Sequence, residues 1–405
     1  MTPPSYAEKL RARADAIATA CVHAGEEIDP VTLGLDAPIS LSSAFAFRDA
    51  AHARAAFEGR DDAYIYGRWG NPTVRALEAK VAALEGCEAA CATASGMAAI
   101  SGTILAICSS GDHVIAPRSM YAESARLLRE RLPRFGIRTT FVDASPEAYA
   151  AALEPTTRIA FVETPSNPRL GVIDVAEVAA RARAAGVLTV VDGTFATPFS
   201  QSPAALGADL VVHSMTKGMS GHGDVIAGCV AGPEALVSRV RDHVIKGTGA
   251  ALSPFDAWLV TRSLRTLAVR QERACATAAE LASWLAADPR VAVVYHPSLA
   301  THAGHEIAAR QMHAFGSLLS FELAGADAIG RGARVLERVR IATHAVSLGD
   351  ARTLIVHPAS TTHSTMPPEA RALAGIGDGL LRVSVGLESA ADLERDLDAA
   401  LGPAA

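Results

Sequence analysis

The sequence predicts an α/β protein, with a mostly parallel sheet in a large domain and a smaller α+β domain after it. Two observations predict this. Between residues 88 and 230, short apolar runs alternate with stretches of helical periodicity, and a periodicity change near residue 288 is followed by strands mixed with helices. The chain of 405 residues is 50% hydrophobic and 20% charged, enough to build a sizeable core. Three segments are expected: an N-terminal arm over 1–60, a ligand-binding domain over 61–255 and a C-terminal domain over 256–405.

Each element has a local reason. The runs "DHVIAP", "RIAFVETP", "VLTVVDGT", "DLVVHS" and "VIAGCVAG" are near-continuous in Val, Ile and Ala, as strands buried on both faces are. Between them, "VAEVAARARAAG" repeats apolar residues at helical spacing and ends in Gly. A long helical stretch runs from "LSPFDAWLV" to about residue 288. The strands "VAVVYHP", "GSLLSFEL" and "LLRVSVGLE" follow, and the chain closes on the amphipathic "AADLERDLDAALG".

Composition narrows the function classes. A formal net charge of -6 gives no case for a nucleic-acid or membrane partner. The one basic cluster, "RLLRERLPRFGIR" from Arg126 to Arg138, reads as a solvated helix face. The six cysteines, at 21, 87, 91, 108, 229 and 275, form no paired framework and read as reduced thiols of the cytoplasm. The N-terminus lacks the apolar core of a signal peptide. Residues 89–111 carry no charge, but Ala, Ser, Thr and Gly make them too polar for a membrane span.

In parallel sheets ligands bind beyond the carboxyl ends of the strands. The residues there are unusually polar: Glu163 to Asn167, Asp192, and His213 to Lys217. Asp192 and Lys217 lie one helix and one strand apart, so both face one crevice. Such a pair fits a salt bridge, a magnesium site or something rarer. Walker, zincin, hydrolase-elbow and dinucleotide fingerprints are all missing, "GIGDGL" at 375–380 failing the last at its final position. His213, His222 and His357 are separated wrongly for a metal site and read as structural.

A phosphate cup is present, because "TASGMAAIS" opens a helix at Ser95-Gly96-Met97, where backbone N–H groups can meet an anion. Ser214 and Thr216 add hydroxyls beside Lys217. A lysine, a phosphate cup and a facing aspartate match what pyridoxal 5'-phosphate requires.

Eight motifs, "YGRWGNPT", "TASGMAAI", "ETPSNP", "VVDGTFATP", "HSMTKGMSGHGD", "AVSLGDARTL", "HPASTTHS" and "LLRVSVGLE", stand in the order seen in the Cys/Met-metabolism family of pyridoxal-phosphate enzymes, which the chain resembles over nearly its whole length. The resemblance implies a fold-type I pyridoxal-phosphate transferase architecture. It implies that Lys217 is the Schiff-base lysine and the base at Cα, that Asp192 partners the pyridine nitrogen, and that Asn167 bonds the ring hydroxyl. Gly96, Met97, Ser214 and Thr216 would hold the phosphate. Tyr121 would stack on the ring and assist the leaving group, while Arg382, with Ser347, would bind the substrate carboxylate. Tyr66 and Arg68 resemble a pair donated across a subunit interface to the neighbour's phosphate, with Tyr66 also at the substrate, implying a homo-oligomer, at least a dimer and in the fullest form a homotetramer.

The implied reaction is γ-elimination on a γ-substituted amino acid, as in methionine γ-lyase. Its alternatives are γ-replacement, as in O-acetyl- or O-succinylhomoserine sulfhydrylases, and a specialised γ-elimination on a non-protein amino acid. Departures keep these open: Ala122-Glu123 follows Tyr121 where methionine γ-lyases carry Gly-Cys, Gly247 follows Lys246 where an acid is usual, and Arg352 stands where glutamate is common. Val346 precedes "SLGD", where cystathionine enzymes tend to have glutamate. A protein that keeps the fold without catalysis is disfavoured by the presence of Lys217, Asp192, Tyr121 and Arg382 together.

Overall fold

The computed structural model describes residues 5–403 apart from 326, 362–363, 365–368, 370 and 372–374. Its centre is a seven-stranded sheet: β1 (Ala89–Thr93), β2 (His113–Pro117), β3 (Arg138–Val142), β4 (Thr157–Glu163), β5 (Leu188–Asp192), β6 (Leu210–Ser214) and β7 (Gly228–Gly232). The order across it is β1-β7-β6-β5-β4-β2-β3, and β7 alone runs antiparallel to its neighbours. The expected mostly parallel sheet is therefore present.

Why these runs are continuous rather than alternating is visible in the packing. Val114, Ile159, Phe161, Val190 and Val212 face one core cluster, while Ile115, Ala160, Val162 and Val191 face the other. Successive side chains point to opposite faces, and both faces are covered by helices, so both sides of these strands are mainly apolar.

Two strands of this sheet escape the sequence pattern. β1 reads "AACAT", too small in side chain to stand out from the helix after it. β3 begins at Arg138, inside the basic run. The rest of that run is helical to Phe135 and solvated, as expected, and Gly136 turns the chain into the strand.

The second sheet has five strands, β8 (Val291–Tyr295), β9 (Leu318–Leu323), β10 (Thr343–His344), β11 (Leu354–Val356) and β12 (Leu380–Ser384), in the order β10-β11-β12-β9-β8. Pairing is antiparallel except between β10 and β11. It packs against the helix Leu267–Ala286 and the closing helix Ala390–Leu401 through Leu281, Leu285, Phe321, Leu393 and Leu397. The long helical stretch is two helices, Pro254–Leu264 and Leu267–Ala286, divided at Arg265-Thr266.

At the N-terminus, helix α1 (Tyr6–His23) starts at a capping box between Ser5 and Glu8 and buries Leu10, Ala14, Ile17 and Cys21. The chain then passes through residues 24–49 with Val31, Leu33, Leu35 and Leu41 exposed, and through α2 (Ala50–Phe57) to α3 (Pro72–Glu85). The uncharged segment 89–111 becomes β1 and helix α4 (Gly96–Ile107). Among the described residues no helix is long and apolar enough to cross a membrane.

Candidate active site

Strand direction assembles the site. β1 ends at Thr93 and leads into α4, β2 leads to Tyr121, and β4, β5 and β6 end at Glu163, Asp192 and Ser214. All are carboxyl ends of parallel strands, so they open on one edge of the sheet. Lys217 follows three residues after β6.

The Lys217 amine donates to Ser347 Oγ at 3.0 Å. Burial and the nearby Arg382 cation hold it below the ordinary lysine range. The turn that carries Lys217 is clamped on two sides. Arg270, buried, donates to the carbonyls of Gly218 and Met219 at 2.9 and 3.0 Å. On the other side Gly349 adopts φ +75°, and a Cβ there would lie 2.3 Å from Gly218 N and 2.9 Å from Lys217 C. Only glycine lets the 347–349 loop come this close, and that closeness brings Ser347 to the amine.

Arg382, on β12, donates to Asn167 Oδ1 at 2.8 Å and to the Ser347 carbonyl at 3.1 Å, and its buried Nε has no partner. Burial pushes its guanidinium down to about 10. A buried cation whose acceptors are all neutral oxygens calls for an anion. A second bond from the same sheet, Ser320 Oγ to Pro168 O at 2.7 Å, holds the loop that presents Asn167.

Asp192 is buried, with Oδ1 accepting from Thr194 N at 2.9 Å. Burial raises its carboxyl, against the lowering influence of Thr194 and His213. His213 is engaged with Glu85, Nε2 to Oε1 at 2.6 Å, both fully buried. His222 bonds Ser220 O, and His357 lies between Ser360 Oγ and Asp378 O.

A helix starts where the sequence expects the phosphate cup. Ser95 caps α4 through Ala98 N. The N–H groups of Gly96 and Met97, at the first two helical positions, have no carbonyl partner within the helix. Ser214 lies against this helix start: a Cβ on Gly96 would come within 2.6 Å of Ser214 Cβ. Thr216 differs from expectation, because its hydroxyl donates to Ala227 O at 3.2 Å and accepts from Ala227 N at 2.9 Å. In this structure it braces the strand after Lys217 and does not stand free toward the cup.

Tyr121 has its backbone N–H on Glu163 Oε2 at 2.8 Å and is 44% exposed as a residue. Burial, then the charges of Glu123 and Glu163, raise its phenol. Tyr66 and Arg68 lie elsewhere. Arg68 caps the carbonyls of Ile245 and Lys246, its guanidinium stands 5.5 Å from the Tyr66 ring centroid, and Tyr66 is 41% exposed. The single chain does not bring this pair to Lys217. Thr362 and His363 of "HPASTTHS" lie outside the described residues.

Two participants had no assigned role in the sequence. Glu163 accepts both Tyr121 N and Asn167 N, at 2.8 and 3.1 Å; its place at a strand end was the available signal. Arg270 lies in a helical stretch, where nothing local marks an arginine as buried.

These residues fit pyridoxal phosphate. The unpaired helix N-terminus suits the phosphate, the buried carboxylate Asp192 suits a cationic ring nitrogen, and Lys217 Nζ suits an aldehyde.

The sequence pattern of the family described as Cys/Met metabolism PLP-dependent enzymes matches residues 18–402. The chain is 44% identical to an L-methionine gamma-lyase of Fusobacterium nucleatum subsp. polymorphum over 388 residues, 95% of this chain and 98% of that one. It is 43% identical to an O-succinylhomoserine sulfhydrylase of Pseudomonas aeruginosa over 382 residues, 94% and 93%. Among solved structures, a cystathionine gamma synthase from Xanthomonas oryzae pv. oryzae, in complex with aminoacrylate and cysteine, superimposes with a TM-score of 0.88 at 40% identity, covering 98% of each chain.

Proposed function

Because this chain belongs to the Cys/Met metabolism family of PLP-dependent enzymes, of fold type I, we propose that it catalyses γ-elimination on a γ-substituted L-amino acid, as a methionine γ-lyase does. The observation that carries this reading is the contact chain from Lys217 Nζ through Ser347 and Arg382 to Asn167. It sets a base, a carboxylate receptor and a ring partner side by side.

Bound pyridoxal phosphate supplies a ring that withdraws electrons, so that protons on Cα and Cβ become removable. Arg382 receives the substrate carboxylate as a planar fork, ending its own burial without an anion. That contact fixes Cα near Lys217. Lys217 Nζ, its amine biased toward the neutral form, takes the Cα proton and passes it on. Asp192 holds negative charge against the ring nitrogen, and Asn167 holds the ring hydroxyl. Tyr121, exposed on the ligand side, gives its phenolic proton to the departing γ group. Gly96, Met97 and Ser214 anchor the phosphate, with Thr216 as their brace.

Tyr66 and Arg68 act in the site of a second copy, which makes the enzyme a homo-oligomer, in the fullest form a homotetramer, of the cytoplasm. The exposed apolar side chains of residues 24–49 support an intermolecular contact there.

A second reading, γ-replacement, is favoured by one feature. An open cavity of about 450 Å³ reaches from Thr216 and Ser347 to Arg352, whose side chain is 70% exposed and bound to Asp350. A cation lining the cavity that also reaches Ser347 suits a γ group that ends in a carboxylate. The third reading, elimination on a non-protein amino acid, rests on Ala122-Glu123 beside Tyr121.

Product identification decides among these. The purified, cofactor-loaded protein is incubated with methionine, O-acetylhomoserine, O-succinylhomoserine and a γ-haloamino acid, each with and without sulfide. Methanethiol, ammonia and 2-oxobutanoate from methionine alone establish the lyase. Homocysteine formed only from an acylhomoserine with sulfide replaces that reading by the second, and turnover of the γ-haloamino acid alone replaces it by the third.

A further inference from the structure

Glu163 is buried to 5% exposure at the end of β4, and both of its oxygens are used. Oε2 accepts the N–H of Tyr121 and Oε1 the N–H of Asn167. These belong to different loops, one after β2 and one after β4, and they carry the phenol and the amide assigned above to the ring. In the β4/β5 register Glu163 pairs with Asp192. In-register neighbours on adjacent strands point the same way, about 4.8 Å apart. The carboxylate that ties the two loops therefore lies beside the one that faces the ring nitrogen.

Among the described residues, the groups around this pair offer no cation to Glu163. Tyr121 faces it from the loop after β2. Tyr149 approaches from the helix Pro146–Ala151, its phenol donating to Phe161 O at 2.6 Å. Beyond Asp192 stands His213, already bound to Glu85. Two buried carboxylates so placed resist ionising together, which favours one proton on the pair.

We propose that Glu163 is a positioning residue of the site: it joins the Tyr121 and Asn167 backbones into one unit and shares a proton with Asp192, releasing Asp192 to face a cationic ring. This rests on the ring contacts assigned above to Tyr121, Asn167 and Asp192. Burial and Asp192 push the Glu163 carboxyl up to about 8. Folding then takes up a proton between its ordinary 4.5 and about 8, so the stability conferred at low pH declines as pH rises through that window.

The test uses cofactor-free protein, the variants Glu163→Gln and Glu163→Asp, and pyridoxine 5'-phosphate, an alcohol that cannot condense with Lys217. Melting temperature is followed from pH 5 to 9, and affinity for the alcohol by protein fluorescence. In the wild type the melting temperature falls as pH rises toward about 8. Glu163→Gln flattens that fall and, since an amide has one acceptor oxygen for two N–H donors, weakens binding about tenfold. Glu163→Asp keeps the fall, because a carboxylate remains, but binds weakly, because it is one methylene short.

A Glu163→Gln protein with the wild-type pH profile and affinity overturns the proposal. If that variant does not fold, wild-type affinity in Glu163→Asp overturns it instead. Wild-type protein that binds no pyridoxine phosphate contradicts the ring contacts themselves, a different failure and separable from the first.

Discussion

Arg382 and Asn167 meet at 2.8 Å across 215 residues of chain, one on the five-stranded sheet and the other on the loop after β4. The guanidinium is thus aimed before any substrate arrives, with Nε unpartnered. Replacing it removes a charge-assisted receptor that an ammonium on a flexible stem does not reproduce. Arg382→Lys should raise KM for amino-acid substrates about 30-fold, with cofactor absorbance retained. Steady-state kinetics with a spectrum of the resting protein check both parts; an unchanged KM would contradict the assignment.

The same cation helps hold the Lys217 amine below its ordinary value of 10.5. Removing it in Arg382→Gln leaves burial as the remaining depressing influence, so the amine should titrate at higher pH. The rate at which an acylating reagent modifies Lys217 in cofactor-free protein, followed by peptide mass spectrometry against pH, reads this directly. The midpoint in Arg382→Gln should lie to the alkaline side of wild type.

Gly96 allows the start of α4 to rest on Ser214. An added Cβ would lie 2.6 Å from Ser214 Cβ and 2.9 Å from its Cα, at a half-buried strand end held in the sheet. Gly96→Ala should cost about 2 kcal/mol of stability by overpacking. It should also weaken cofactor binding more than other changes of similar stability cost, since the helix start moves off the phosphate. Thermal melts and cofactor titration together distinguish the two effects.

Lys80 is fully buried, with Nζ 2.7 Å from Glu26 Oε1 and 2.6 Å from Cys21 O; Glu26 also pairs with Arg265. Burial alone would raise the Glu26 carboxyl, but hydrogen bonds from Arg265 and Lys80 bring it below its ordinary 4.5. Its stabilisation is therefore present above that pH and lost as pH falls through the lower folded value. Glu26→Gln leaves Lys80 buried without a counter-charge, at a cost of about 3 kcal/mol at neutral pH. The gap from wild type should narrow in acid, which denaturant melts at pH 7 and below pH 4 would register.

The sequence made the sheet legible because its strands are buried on both sides and so written as unbroken apolar runs. It left β1 obscure for want of bulky side chains, and β3 because its first residue closes a run of arginines. Lys217, Asp192 and Asn167 were legible because they stand immediately after such runs. The reach of Arg382 to Asn167, the clamp of Arg270 and the two-loop tie of Glu163 were not. Each joins segments far apart in the chain, and no local pattern records which carbonyl or N–H a distant side chain will meet.

The central claim is that Lys217 carries the cofactor. The chain has four lysines, Lys9, Lys80, Lys217 and Lys246. Reducing the pyridoxal-phosphate-loaded protein with borohydride and mapping its peptides by mass spectrometry assigns the adduct to one of them. The account predicts a single phosphopyridoxyl group on Lys217, absent from Lys217→Ala; an adduct on another lysine, or none, would contradict it.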